Sequence, residues 1–81
     1  MEKQKITVSV AGKSYTLISS DPPEYVKRVA ALVDRKLRET TAVTNLPANQ
    51  VAVLACFNLA EELTKAQDEN RMLRRRLEQQ E

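Results

Sequence analysis

The sequence has little of what small domains usually rely on for stability or chemistry. Its 81 residues include one cysteine, Cys56, and no histidine. A single cysteine excludes a disulfide within the chain, and with one thiol and no histidine the usual ligands of a tetrahedral zinc site are too few. The commonest acid–base group near neutral pH is also missing. We therefore expect a protein that is not an enzyme and that holds neither a metal nor a cofactor.

Long apolar runs and a strong charge imbalance are absent as well. No segment approaches the ~20 apolar residues that cross a bilayer, and the N-terminus has no apolar signal core. The formal net charge is only +2, which does not by itself indicate a nucleic-acid partner. We expect a soluble, cytoplasmic protein. Since a chain of this size rarely obtains more than about 3–5 kcal/mol from its own core, we also expect it to oligomerise.

A β-hairpin is predicted at about residues 5–18, where apolar and polar residues alternate. Gly12, the only glycine in the chain, separates the two strands. We expect a type II′ turn with Gly12 first and Lys13 second, because the first central residue of that turn needs a positive φ. This register pairs Val10 with Tyr15 and collects most of the apolar residues on one face.

A first helix is predicted at about residues 22–39. With the hairpin and a following loop, it forms a head over residues 1–45. Asp21 is expected to cap the helix and Pro22 to occupy its first position. Apolar residues then recur at helical spacing, and basic residues lie off that stripe. Thr40 and the threonines after it are expected to end the helix.

A second, much longer helix is predicted over residues 46–81, with Asn45 as its cap and Pro47 in its first turn. No proline or glycine follows Pro47, and a helix of this length spans about 50 Å at ~1.5 Å per residue. Residues 51–60 are apolar nearly all round. That pattern predicts enclosure by the hairpin, the first helix and a partner.

A heptad repeat predicts a coiled coil from about residue 56. The a positions hold Cys56, Leu63, Asn70 and Leu77, and the d positions hold Leu59, Ala66 and Leu73. The 3.5-residue period implies a left-handed supercoil with another helix. We expect Cys56 to be a small buried apolar residue of this seam. Asn70 can pair with its own copy across a two-fold axis and so fix the register.

Charged residues beside the seam favour a parallel dimer. In that arrangement Glu69 meets Arg74 of the second copy, and Arg76 meets its Glu81, so both contacts join opposite charges. The seam is short and Ala66 is small, so that antiparallel pairing of dimers into a tetramer also stays open. The sequence thus predicts an α+β protein: a small hairpin-and-helix head on a long coiled-coil helix, dimerised or tetramerised.

The run Arg74–Arg76 allows another interpretation, a nucleic-acid site on a coiled-coil dimer. In basic leucine zippers, however, the basic segment precedes the coil, whereas these arginines lie within it. The overall charge is also only mildly basic. A solvated flank is therefore favoured over a nucleic-acid site. A bare structural dimerisation module is the other alternative.

Three segments taken in order resemble a known family: the hairpin Ile6–Leu17, the helix Tyr25–Glu39 and the start of the long helix, Val51–Leu63. They are similar to the ZapA family of bacterial cell-division proteins, which associate with FtsZ. The resemblance covers nearly the whole chain. It implies a cytoplasmic adaptor that bundles and crosslinks FtsZ protofilaments at the mid-cell division site. It also implies dimers formed through head and coil, and pairs of dimers with heads at both ends.

The resemblance further implies residues that contact the filament. In the family a basic residue just after the hairpin glycine has this role, and Lys13 matches it. A second basic position, three residues later, is occupied here by Thr16. An acidic filament would also suit the basic flank of the first helix, although a solvated face explains each of those residues equally well. The candidate FtsZ-binding residues are Lys13, Lys27, Arg28, Arg35 and Arg38.

Overall fold

The computed structural model describes residues 2–80. Two antiparallel strands, β1 (Gln4–Val10) and β2 (Lys13–Ser19), precede two helices, α1 (Pro23–Val43) and α2 (Ala48–Gln79). The predicted α+β arrangement, a hairpin and helix followed by a long helix, is confirmed. The contact predicted between Arg76 and Glu81 of a second copy includes a residue outside the described range.

The hairpin turn differs from the prediction. Val10 pairs with Lys13, so the two turn residues are Ala11 and Gly12. Their φ angles are 53° and 78°, and two positive φ values are the pattern of a type I′ turn, whose twist suits the flanking strands. The type II′ turn at Gly12 and Lys13 was therefore wrong. The register moves by an even number of residues, which leaves every side chain on its predicted face.

A small core lies between the hairpin and α1. Ile6 and Val8 of β1 pack against Val26 and Ala30 of α1, and each of these four residues is at most 8% exposed. Alternation along β1 places the first pair on one face of the sheet, and helical spacing places the second pair on one face of α1. The head is thus built on the face that the sequence pattern predicts.

Both helix beginnings lack the predicted caps. Pro22 is the N-cap of α1, and no side chain bonds to its first turn. Asp21 instead takes part in a local turn, where its N–H donates to Ser19 Oγ at 3.0 Å. Pro47 is the N-cap of α2, again without a side-chain bond, so Asn45 does not cap that helix. Each helix begins later than predicted, so a proline without a side-chain oxygen occupies the N-cap position.

The first helix also ends later than predicted, at Val43 rather than near residue 39. Thr40 Oγ1 donates to the Lys36 carbonyl and Thr41 Oγ1 to the Leu37 carbonyl, each at 2.8 Å. Such bonds satisfy the hydroxyl groups inside the helix, so the threonines do not terminate it. Thr40 is only 4% exposed.

Helix α2 packs on α1 through its first turns. Val51 and Ala55 are buried in this interface. Lys36 Nζ of α1 lies 2.7 Å from Glu62 Oε2 of α2. Within residues 2–80, neither helix has an apolar stretch long enough to cross a membrane.

Candidate self-association and partner-binding surfaces

The predicted heptad residues form an open seam along α2. Every side chain from residue 60 to residue 80 is exposed, and Leu59 just before them is half-buried. The exposed fractions of Leu63, Leu73 and Leu77 are 58%, 58% and 67%. A row of exposed leucines at heptad spacing is the surface that a second helix covers in a coiled coil. In the single chain, these leucines are therefore available to a second copy.

The other heptad positions are equally open. Cys56 is exposed in the single chain, as are Ala66 and Asn70. Helical geometry sets these residues on the same side of α2 as the leucines. The burial predicted for Cys56 therefore depends on the second copy and stays a prediction.

The apolar segment at the start of α2 is covered on one side only. Val51 and Ala55 face α1, whereas Val53 and Phe57 are 68% and 67% exposed. The predicted enclosure of residues 51–60 is thus provided in part by α1. The hairpin packs on α1, and most of the remaining apolar side chains of this segment are free to contact a partner.

The head has an uncovered apolar surface of its own. Helix α1 packs on β1, while Tyr15 and Leu17 of β2 remain 48% and 43% exposed. With Tyr25 and Val29 of α1 they line an open apolar groove of about 430 Å³. Exposed apolar surface of this kind marks an interaction site more often than a solvated face.

Lys13 is exposed at the start of β2, directly after the turn. Its cross-strand neighbour is Val10, and opposite residues share a face of the sheet. Lys13 therefore lies at the end of the apolar face, on the same side as Tyr15, rather than at the second turn position. Among residues 2–80 it has no ion-pair partner. Thr16 points to the other face, where its hydroxyl lies 3.3 Å from that of Thr7.

The candidate residues on α1 divide into two groups. Lys27 and Arg28 make no ion pair with any described residue, and the Arg28 guanidinium carbon lies 5.4 Å from the Tyr25 ring centroid. Arg35 Nε lies 3.6 Å from Glu39 Oε1, and Arg38 Nη2 lies 3.0 Å from an Asp34 oxygen. Arg35 and Arg38 form the second group, and their acidic neighbours offset their positive charges. Lys27 and Arg28 thus carry the unpaired positive charge of α1.

Asp34 is a site residue that the sequence reasoning missed. Its Oδ1 accepts a 2.8 Å hydrogen bond from the Ala11 N–H in the hairpin turn, and its Oδ2 faces Arg38. The spacing of Asp34 and Arg38 is the only trace of this arrangement in the sequence. The contact with Ala11 joins residues 23 positions apart, so it depends on how the hairpin packs on α1.

One ion pair connects the two helices. The side-chain hydrogen bond between Lys36 and Glu62 is the main cause of a pKa shift in each group. It raises the pKa of Lys36 and lowers the pKa of Glu62, because each charge stabilises the other. The Lys36 side chain is only 15% exposed, and Glu39 lies 3.6 Å from its Nζ. The pair holds the base of the head against α2. Across residues 2–80, no group of acidic or thiol side chains is arranged to hold a metal ion.

Comparison with known proteins places this arrangement in a family. The family model described as cell division protein ZapA matches residues 6–81. A cell division protein ZapA from Halalkalibacterium halodurans is 42% identical over 73 residues, which cover 89% of this chain and 80% of the relative. One from Geobacillus kaustophilus is 33% identical, covering 93% of this chain and 84% of the relative.

A solved structure shows the same fold. It is described as a ZapA mutant dimer from Geobacillus stearothermophilus, and it matches with a TM-score of 0.76 and 30% sequence identity. The match covers 96% of this chain and 92% of that one. Because that relative is a dimer, the comparison supports self-association of this fold. From the family match over nearly its whole length, the chain belongs to the ZapA family of cell-division proteins.

Proposed function

We propose that this protein is an oligomeric adaptor that binds, bundles and crosslinks FtsZ protofilaments in the cytoplasm, at the mid-cell division site. One observation carries the proposal: the chain separates a head with exposed basic residues from a helix whose apolar seam is open. Lys13 and the basic residues of α1 lie in the head, and the exposed heptad leucines lie in α2. Such a molecule can join copies of itself through α2 while the basic residues of its head meet a filament.

Self-association begins with the seam. Two α2 helices in parallel would bury Leu63, Leu73 and Leu77, which the single chain leaves more than half exposed. Burial of apolar area is favourable by about 25 cal/mol per Å². We infer that the second copy also covers the groove beside Tyr15 and Leu17, with the exposed Val53 and Phe57 as apolar side chains of suitable size. The dimeric relative supports self-association of this fold.

Crosslinking follows from the number of heads. A dimer holds two heads at one end of the coil, and an antiparallel pair of dimers would place heads at both ends. Each head can then bind a different filament, and attachment of one head raises the effective concentration of the others. A parallel dimer alone would bind filaments but would bridge them over a shorter distance.

Binding to the filament is proposed to be electrostatic. Lys13, Lys27 and Arg28 are exposed and lack ion-pair partners among the described residues. An acidic surface would attract them, and contacts between exposed charges weaken as salt concentration rises. Arg35 and Arg38 remain candidates, although each must first exchange an acidic neighbour for the filament.

Co-sedimentation of the full chain with polymerised FtsZ tests the proposal. We expect binding at low salt, a steep loss of binding as salt is added, and bundles visible by electron microscopy. A protein that forms the expected oligomer and yet stays in the supernatant at low salt would contradict the proposed function. A parallel titration with duplex DNA separates this function from binding through Arg74–Arg76, because DNA binding has its own strong salt dependence.

A further inference from the structure

The turn of the hairpin is held by a side chain from α1. The Ala11 N–H donates to Asp34 Oδ1 at 2.8 Å, while Arg38 Nη2 lies 3.0 Å from Asp34 Oδ2. Asp34 is 18% exposed and Arg38 is 77% exposed. The carboxylate thus lies between the hairpin tip and an arginine on the surface, with each of its oxygens engaged.

The turn needs support from outside its own sequence. Ala11 has a φ of 53°, in a region that alanine rarely adopts and that glycine and asparagine tolerate. The residues most favoured in a type I′ turn are Asn-Gly, whereas here the pair is Ala-Gly. A two-stranded hairpin is also marginal by itself. The bond from Asp34 acts at the turn residue whose conformation is least favourable.

We propose that Asp34, held in place by Arg38, is a positioning residue that fixes the hairpin tip and so presents Lys13 to the filament. Lys13 closes the turn opposite Val10, so the conformation of Ala11 sets where β2 begins. The inference rests on the proposed function and deepens it. It also gives Arg38 a different role, because Arg38 then acts through Asp34 and not by touching the filament.

The expected loss of binding follows from the fraction of time that the hairpin tip spends in the conformation that can bind. Without the Asp34 bond the tip samples several conformations, and the apparent affinity falls by the fraction of time that it spends in the competent one. If that fraction falls to between a third and a tenth, the apparent Kd rises by about three- to ten-fold. Lys13 itself is unchanged, so the electrostatic contact returns whenever the tip is correctly placed.

The first test needs no filament. Amide hydrogen exchange of Ala11 is measured in the full chain, in Asp34→Ala, and in Asp68→Ala as the matched control. Asp68 is an exposed aspartate of α2 whose partner is Arg71 at 3.9 Å. We expect exchange at Ala11 to accelerate at least about ten-fold in Asp34→Ala alone, since local opening governs this rate. Equal exchange in all three proteins would overturn the proposal.

The second test uses rescue. Asp34→Ala should weaken co-sedimentation with FtsZ by about three- to ten-fold while the oligomer stays unchanged by sedimentation velocity. Adding Ala11→Asn to that variant should restore binding, because asparagine favours the turn without help from Asp34. Arg38→Gln should weaken binding less than Asp34→Ala, and Ala11→Asn should rescue it as well.

These outcomes separate the inference from the proposed function. If Ala11→Asn does not restore binding to Asp34→Ala, then Asp34 or Arg38 contacts the filament directly and the positioning role is wrong. If the parent chain does not co-sediment with FtsZ at all, the proposed function fails, and the presentation of Lys13 to a filament fails with it. The Ala11 exchange data would then show on their own whether Asp34 holds the turn.

Discussion

The head and the C-terminal half of α2 obtain their order from different sources. The head has a core of its own, in which four apolar residues are at most 8% exposed. Contacts between the hairpin and α1 stabilise it. From residue 60 onward α2 has no buried side chain. The head is therefore organised within one chain, whereas the second half of α2 depends on another copy. Substitutions in the two regions should accordingly disturb different properties.

The largest expected effect comes from a charge in the seam. Leu63→Asp or Leu73→Asp would bury an unpaired carboxylate in the coiled coil, where isolated charges are strongly unfavourable. We expect the dimer to dissociate at micromolar concentration, as measured by sedimentation equilibrium. The second half of α2 depends on the other copy, so helicity should fall as well.

Thr64→Asp provides a matched control for Leu63→Asp. It introduces the same charge one residue away, at a b position outside the seam, and should leave the dimer intact. Dimerisation of Leu63→Asp as tight as that of the control would show that the exposed leucines of α2 are not the interface.

Asn70 sharpens the comparison by separating stability from specificity. A polar residue at an a position fixes register at a cost in stability. Asn70→Leu should therefore raise the thermal unfolding temperature, by about 4–8 °C for each 1 kcal/mol gained, and broaden the distribution of oligomers. Circular dichroism and sedimentation velocity measure the two effects. A less stable variant that remains uniformly dimeric would contradict this role.

Lys13 tests the head without disturbing the coil. Lys13→Ala should change the free energy of unfolding by no more than about 0.5 kcal/mol, as at other surface positions. Lys13→Glu should weaken co-sedimentation with FtsZ more than Lys13→Ala does, because it places a like charge against an acidic surface. Both variants should elute as the parent does in size-exclusion chromatography.

Lys5→Glu is the control for this experiment. Lys5 is exposed and pairs with Ile18, on the opposite face of the same hairpin. The change in net charge is the same, so only a contact specific to the Lys13 face distinguishes the two variants. Equal loss of binding in both would mean that the filament senses total charge and not the hairpin tip.

The comparison of the two regions also explains which features the sequence could predict. The heptad repeat and the alternation in β1 are periodic, and period alone sets the faces of α2 and of the hairpin. The turn at Ala11 is not periodic. It depends on Asp34, which lies 23 positions away, and no local sequence pattern predicts that contact.

The missed helix ends have a similar cause. Thr40 is typical of a helix end when the sequence is considered alone, but its hydroxyl donates to the Lys36 carbonyl and the residue is buried. Residue type shows that a threonine hydroxyl can compete with the backbone for hydrogen bonds. Tertiary packing decides whether the helix ends there or continues. The candidate filament residues follow from the family resemblance and from charge. Only the structure distinguishes Lys27, which has no described ion-pair partner, from Arg38, which is paired with Asp34.

The smallest expected effect concerns the ion pair that joins the two regions. The pKa of Glu62 lies below the ordinary value of 4.5, so its contribution to stability is present above that value and is lost as pH falls through the lowered pKa. The pKa of Lys36 lies above the ordinary 10.5, so its contribution is present below that value and is lost as pH rises through the raised pKa. The pair therefore stabilises the contact between α1 and α2 between these two limits.

Glu62→Gln removes the acidic limb of this dependence. Denaturant unfolding of the parent and of Glu62→Gln should show a difference in stability near neutral pH that shrinks as pH falls below the ordinary carboxyl value of 4.5 and through the lowered pKa of Glu62. The variant Glu61→Gln is the control, because within residues 2–80 Glu61 pairs only with Lys65 of the same exposed helix, at 3.1 Å. Such surface pairs contribute little, so Glu61→Gln should follow the parent at every pH. A difference between parent and Glu62→Gln that stays constant down to pH values below the carboxyl range would mean that Lys36 and Glu62 do not act as an ion pair.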